Sequence, residues 1–413
     1  MKELKRLLMK WGFPILILLV LAAGVVCQEQ RHKAEKKMEE DMWESPSENG
    51  EDEAEAVTVT ETETAAGSCL LTEEEQKQLQ STVLSAAESV KEIYKDVIIA
   101  DDEKYSSGVS GLTSEQQKAV VEQLGAEGMV SVGENVNMQN PEQIEAFYED
   151  YLNGKDSTVT VLEVQQEGVI GAVTFIYREE RLQTYYTGIR WREDGMPEIQ
   201  ITMISDVAEI KLTEKGYFIY RYEEIMEHAG LREYWRIKPL SQECRELTEK
   251  YISGLSYVNY NMLVKNWDSS NVEDILMPCM FEDIYRIDTG ENLKAEEGKI
   301  PAEEFERIMT AYFPVSAEQL RENCGYDRDS DSYEYARIYA SPYPPFGEVV
   351  GYAENEDGTL ALTVDAVWPD YNSDFAFQNT VVVQPLEDGT FRYLSNSVRE
   401  KELDLPPIAE TEN

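Results

Sequence analysis

The chain has 413 residues, with 81 acidic side chains against 37 basic ones and 2 histidines, for a formal net charge of −44. Charge of that sign repels a phosphate backbone, which excludes nucleic acid as a partner, and two imidazoles, His32 and His228, leave little for zinc centres or Ser-His-Asp triads. A hydrophobic content of 42% is enough to bury cores in about two or three domains.

Residues 1–10 carry Lys2, Lys5, Arg6 and Lys10 against Glu3, and residues 11–27 are an uninterrupted uncharged, mostly apolar run. Such a run spans a hydrocarbon core of about 30 Å, and the preceding cations keep the amino end in the cytoplasm. The expectation is a single-pass cell-membrane protein with its carboxy-terminal bulk extracytoplasmic. Cleavage after Gly24, or lipidation of Cys27, is the alternative fate of this segment. Residues 28–70 form an acidic linker, dense in carboxylates from Glu39 to Glu63 and broken by Ser45-Pro46-Ser47, in which little can be buried.

The first lobe is expected over 71–228. Thr72 and Glu75 form a capping box ahead of Leu79, Val83, Ala86, Val90, Ile93 and Val97, a helical stripe. A second helix is expected from Ser114 to Leu124, capped by Ser114 and stopped by Gly125, and a third from Pro141 to about Leu152. From Thr158 the period is two, and turn signals at Gly168, Gly195 and Gly216 divide 158–222 into about six antiparallel strands. His228, before Gly230, suits the last turn of a short helix, where a cation complements the helix dipole.

The second lobe, 229–398, repeats the order. Helices are expected over Ser241–Ser253 and Pro301–Tyr312, then a capped turn at Ser316-Ala317-Glu318-Gln319. Strands follow at 348–354, 359–368, 377–384 and 390–397, joined through Gly358 and Gly389. Leu360, Leu362, Val364, Ala366 and Trp368 share one face, which leaves Thr363 and Asp365 on a face expected to be wet. The fold class is therefore α+β: two lobes, each of helices followed by an antiparallel β-meander, with a tail over 399–413.

The stretches Pro301-Ala302-Glu303-Glu304-Phe305-Glu306, Pro345-Phe346-Gly347-Glu348-Val349-Val350-Gly351-Tyr352, Asp365-Ala366-Val367-Trp368-Pro369 and Pro385-Leu386-Glu387-Asp388-Gly389 resemble one uncharacterised family, a domain of unknown function. Ile237-Lys238-Pro239-Leu240 with Cys244-Arg245-Glu246-Leu247 extends the likeness, which covers about residues 110–398. The resemblance implies membrane-anchored or secreted proteins of anaerobic Gram-positive bacteria, and no activity.

Three constellations are candidate sites. Asp327, Asp329 and Asp331 alternate like the first ligands of a calcium loop, but Ser332 replaces the turn glycine and Ile338 the closing glutamate, as in a plain solvated loop. Asp365 and Asp370 flank Trp368, a carboxylate pair beside an aromatic platform of the kind that glycoside hydrolysis uses; a simple strand-crossing loop has the same composition. Tyr343, Phe346 and Trp368 offer rings for a binding surface, although tyrosine, 24 in all, also serves sheets. Cys69, Cys244, Cys279 and Cys324 fit either two disulfides or buried thiols. With no complete catalytic constellation and no cofactor motif, the reading is a non-catalytic extracytoplasmic binding or sensing module for a protein or glycan ligand. A carboxylate-dependent hydrolase of cell-wall or host polymer, or an envelope assembly partner, is the alternative.

Overall fold

The computed structural model describes residues 69–99, 108–223, 232–257, 262–275, 277–293, 298–335 and 344–400. The expected membrane segment, all of the acidic linker but Cys69 and Leu70, His228, Tyr343 and the tail beyond residue 400 lie outside the described residues. Among the described residues no helix is long and apolar enough to cross a membrane. The chain divides into two compact units, one ending at Leu240 and the other beginning at Ser241.

In the first unit, Thr72 and Glu75 close the expected capping box on α1 (Glu73–Ser89), which buries Val83, Ala86 and Ala87. A short α2 (Lys91–Tyr94) follows. Helix α3 (Ser114–Ala126) is capped by Thr113 with Gln116, one residue ahead of the expected Ser114, and it continues through Gly125. Gly125 is there for a different reason than a helix stop: a β-carbon on it would lie 2.4 Å from the Gln139 side chain, so its absence lets a strand approach the helix. Helix α4 (Glu142–Leu152) starts after Pro141 and buries Ile144 and Phe147.

Eight strands form one sheet in the order β2-β1-β3-β4-β5-β6-β7-β8. They are β1 (Val130–Gly133), β2 (Val136–Gln139), β3 (Ser157–Val164), β4 (Ile170–Arg178), β5 (Arg181–Trp191), β6 (Pro197–Leu212), β7 (Tyr217–Tyr222) and β8 (Arg232–Arg236). Over the expected 158–222 the sheet is an antiparallel meander of five strands, β3 to β7, where about six were expected; β1 and β2, unforeseen in the sequence, extend it, β1 pairing with β3 in parallel after the crossover through β2 and α4. Strand β8 pairs with β7, which carries the first unit past the expected boundary at residue 228.

β6 shapes this sheet. Its first part, 197–206, pairs with β5, and its second, 207–212, pairs with β7, with a register shift in each ladder. Bulges bend a strand, and β7 and β8 come to lie over β3 and β4: the Phe175 ring is 5.4 Å from Phe218 and 5.8 Å from Trp235. Phe147 of α4 joins this aromatic core. The opposite face of the sheet buries Leu162, Val164, Ile170 and Ile189 under α1 and α3.

In the second unit, Ser241 caps α5 (Gln242–Tyr251). A helix that the sequence reading does not separate, α6 (Met277–Thr289), buries Met277, Met280, Phe281 and Ile284. Helix α7 (Ala302–Tyr312) follows, then α8 (Ala317–Asn323), capped by the expected Ser316–Gln319 box. Strands β9 (Lys299–Pro301), β10 (Tyr326–Asp327) and β11 (Ser332–Glu334) make a small sheet. The expected meander is present as β12 (Phe346–Glu354), β13 (Leu360–Trp368), β14 (Ser373–Pro385) and β15 (Phe391–Glu400).

A buried amide network joins this meander to the chain after α5. Tyr257 donates to Asn379 Oδ1 at 3.1 Å, Asn379 donates to Asn396 Oδ1 at 3.1 Å, and Asn396 donates to the Met262 carbonyl at 2.9 Å. Such groups tolerate burial because each is paired.

Candidate functional site

Asp365 sits in mid-strand on β13, out of phase with Leu362, Val364 and Ala366, which belong to the core together with Trp368. The face it occupies is closed, contrary to the expected wet one: Asp365 and Val367 are both 0% exposed. Asp365 is opposite Glu348 on β12 and Gln378 on β14, and Gln378 is opposite Arg399 on β15, so a polar row crosses all four strands. Gln378 Nε2 donates to Asp365 Oδ1 at 2.8 Å, and neither Asp365 nor Glu348 is without further partners. Asp370 is half-buried in the turn Pro369–Tyr371 beyond the end of the strand, where the Trp368 and Tyr371 rings meet edge to face at 4.3 Å. The two carboxylates of the expected pair are thus held by different elements. Phe346 is half-buried at the start of β12.

Asp327 ends β10 and Asp329 and Asp331 lie in the turn that leads to β11, with local donors on the Asp327 and Asp331 carboxylates. Asp327 pairs with Lys299 Nζ at 3.3 Å and accepts from the Asp329 amide at 3.0 Å, while Asp331 accepts from the Tyr326 hydroxyl at 2.7 Å. Ser330 and Lys299 hold the Asp327 carboxyl down at about 2. Among the described residues no group of three or more His, Cys, Asp or Glu side chains is placed to hold a metal ion. The four described cysteines are free; burial pushes the Cys324 thiol up to about 11.

Two features of the first unit were not singled out in the sequence. The first is an acidic and aromatic cluster on the concave face of the folded-over sheet. Glu163, Gly171, Gly188 and Ile201 form one cross-strand row, and Val161, Val173, Tyr186 and Met203 the next. The paired glycines make room for the Tyr186 ring: a β-carbon on Gly171 would stand 3.0 Å from it, and one on Gly188 would stand 3.2 Å from it. Trp235 donates its indole N–H to Glu163. Burial holds the Glu163 carboxyl above its usual range despite that bond, with the charge of Glu233 adding to the effect; partial burial also raises Glu233. Shifted carboxyls grouped with aromatic rings mark functional candidates. Ile201 and Met203, beside them, are 50% and 52% exposed, which is unusual for apolar residues in the middle of a strand.

The second feature is a groove of about 430 Å³ between α1 and the start of β6. It is lined on α1 by Lys77, Gln80, Ser81, Leu84, Ser85 and Glu88, and on the other side by Met196, Pro197 and Ile199. The wall is fixed to the sheet, because Gln80 Nε2 donates to the Tyr185 hydroxyl at 2.6 Å and Arg178 pairs with Glu75 at 3.0 Å. A groove of this size with a fixed wall and a lining of both polar and apolar side chains suits non-covalent recognition. The sequence carried one usable signal for the cluster: Glu163 stands in phase with Val159 and Val161, an acid where the pattern wants an apolar residue.

A family of unknown function, DUF6070, matches residues 76–411, so the chain belongs to that family. No curated protein and no solved structure matches.

Proposed function

We propose that this member of the DUF6070 family is a non-catalytic binding module, held at the outer surface of a cell membrane by residues 11–27 and the acidic linker. The groove between α1 and β6 carries this reading. Its lining mixes polar and apolar side chains, and its wall is fastened through Gln80 and Arg178, so a ligand meets a formed surface and little ordering entropy opposes binding. The ligand is an extracellular protein segment or glycan, and the cell is an anaerobic Gram-positive bacterium, as the resemblance of the second unit implies. The Glu163 carboxyl, which burial holds above its usual range, stands beside the Trp235 indole.

The test is calorimetric titration of the full chain with soluble peptidoglycan fragments, mucin glycans and a panel of extended peptides. Saturable binding to one class is expected, at least tenfold weaker in Leu84→Glu and unchanged in Leu152→Glu, a substitution at an exposed site on α4. Binding that ignores Leu84→Glu contradicts the groove as the site, and no saturable binding to any class contradicts the function.

A further inference from the structure

We infer that the outer face of β6, β7 and β8 is a docking surface for the chain's own acidic linker, residues 55–63. This goes beyond the groove reading and does not depend on it. Strand register sets three rows on that face: Glu209, Arg221 and Arg232 stand side by side, then Lys211, Ile219 and Tyr234, and then Tyr217 with Arg236. Phe218, Tyr220 and Trp235, on the opposite face, belong to the aromatic core. Glu209 is shared by Arg221, at 3.9 Å, and Arg232, so four cations stand with one carboxylate in a chain of net charge −44. Rings lie among the cations: Arg236 is over the Tyr217 ring at 5.2 Å, and the Tyr217 and Tyr234 rings are 6.1 Å apart. Tyr217 and Ile219 are 2% and 1% exposed, yet neither belongs to a hydrophobic core of the described residues. None of Lys211, Tyr217, Arg232, Tyr234 and Arg236 is without further partners.

Charge and chain path name the occupant. A surface of this sign attracts carboxylates, and residues 39–63 carry eleven of them and no base. The chain also enters the first unit beside this face. Gln183 Oε1 accepts from the Leu70 amide at 2.8 Å, while Gln183 Nε2 donates to Asp206 Oδ1 at 2.8 Å, and Leu70 packs near Ile204. Val207 and Ile210 belong to the aromatic core, so the bulge between Val207 and Glu209 keeps Ile204, Asp206, Glu209 and Lys211 on the outer face. Lys211 is five residues past Asp206, roughly 17 Å along the strand. Glu61 and Glu63, eight and six residues before Cys69, reach at most about 28 Å and 21 Å from it, which covers that distance. Tethering keeps these acids at high local concentration, so ion pairs that are weak singly act together. Such a clasp shortens the free part of the linker and is loosened by salt.

The test uses the full chain in detergent. A carbodiimide, which joins a lysine amine to a carboxylate in contact with it, should link Lys211 to Glu55, Glu61 or Glu63, as read by mass spectrometry of the digest. The yield should be at least tenfold that of links from Lys118, a lysine of α3 with a 51% exposed side chain, to the same residues. It should be unchanged on dilution and fall at least tenfold in about 0.5 M salt. A glutamate-specific protease should cut after Glu61 and Glu63 at least threefold faster in Lys211→Glu, with circular dichroism confirming that the variant is folded. Links from Lys211 to Glu224 or Glu227 in place of the linker, links that form only between copies, a yield no higher than that of Lys118 or unmoved by salt, or cutting no faster in Lys211→Glu, each overturn the inference.

Discussion

Glu163 shows how a single side chain can run against its surroundings. It stands on a strand face otherwise made of Val159 and Val161, within electrostatic reach of Tyr186 and Tyr220, and it accepts a hydrogen bond from the Trp235 indole N–H. Because burial raises its pKa, the folded state holds a proton in a window above the ordinary carboxyl range where the unfolded state has released it. Stability therefore falls as the pH rises through that window. Glu163→Gln removes the ionisation and keeps an acceptor for Trp235. The variant is expected to melt higher than the native chain above the window, and by a smaller margin below it, in melting curves taken from pH 4 to 8. A variant that melts lower at neutral pH would show that the carboxylate is stabilising, against this account. Such a residue is only faintly legible in sequence, because 81 acids hide one that is buried. Asp365 illustrates the same difficulty from the other side: its place in the strand was readable, but its closure from solvent depends on what packs over that face.

At the scale of elements, caps and turns transferred well because their chemistry is local. Thr72 with Glu75 and Ser316 with Gln319 each use a side chain and an amide three residues apart, and both boxes form. Thr72→Ala is expected to cost about 1 kcal/mol in denaturant unfolding, the usual worth of an amino-terminal cap, and no loss of stability would contradict that role. The neighbouring ion pair adds a pH signature. Arg178 and the Thr72 donors hold Glu75 at about 2, so its contribution is complete above the ordinary carboxyl pKa and disappears as the pH falls toward 2. What the sequence concealed was non-local. The parallel pairing of β1 with β3 joins residues separated by a strand and a helix, and β1 is only four residues long, too short to show a period. Helix α6 was hidden because Pro278 lies in its first turn, where proline is tolerated but reads locally as a break. In β6, Ile201 and Met203 share one face, while the bulge at Gln200 turns Ile199 to the other, a switch that alternation in the sequence does not show.

For the whole molecule, the proposed extracellular role takes the uncharged run near the amino end as an anchor, with the cations before it setting its direction. The α+β class was legible because both units follow helices with strands whose turns carry glycine at the expected places, Gly358 and Gly389 among them. The proposed binding groove was not, since it is made by α1 meeting a strand more than a hundred residues away in sequence. All the proposed ligands lie outside the cell, so sidedness is the claim on which the account turns. The most direct measurement is protease added to intact protoplasts carrying the full chain. The account predicts that both units are digested while a cytoplasmic marker survives. Units that remain whole until the protoplasts are lysed would contradict it.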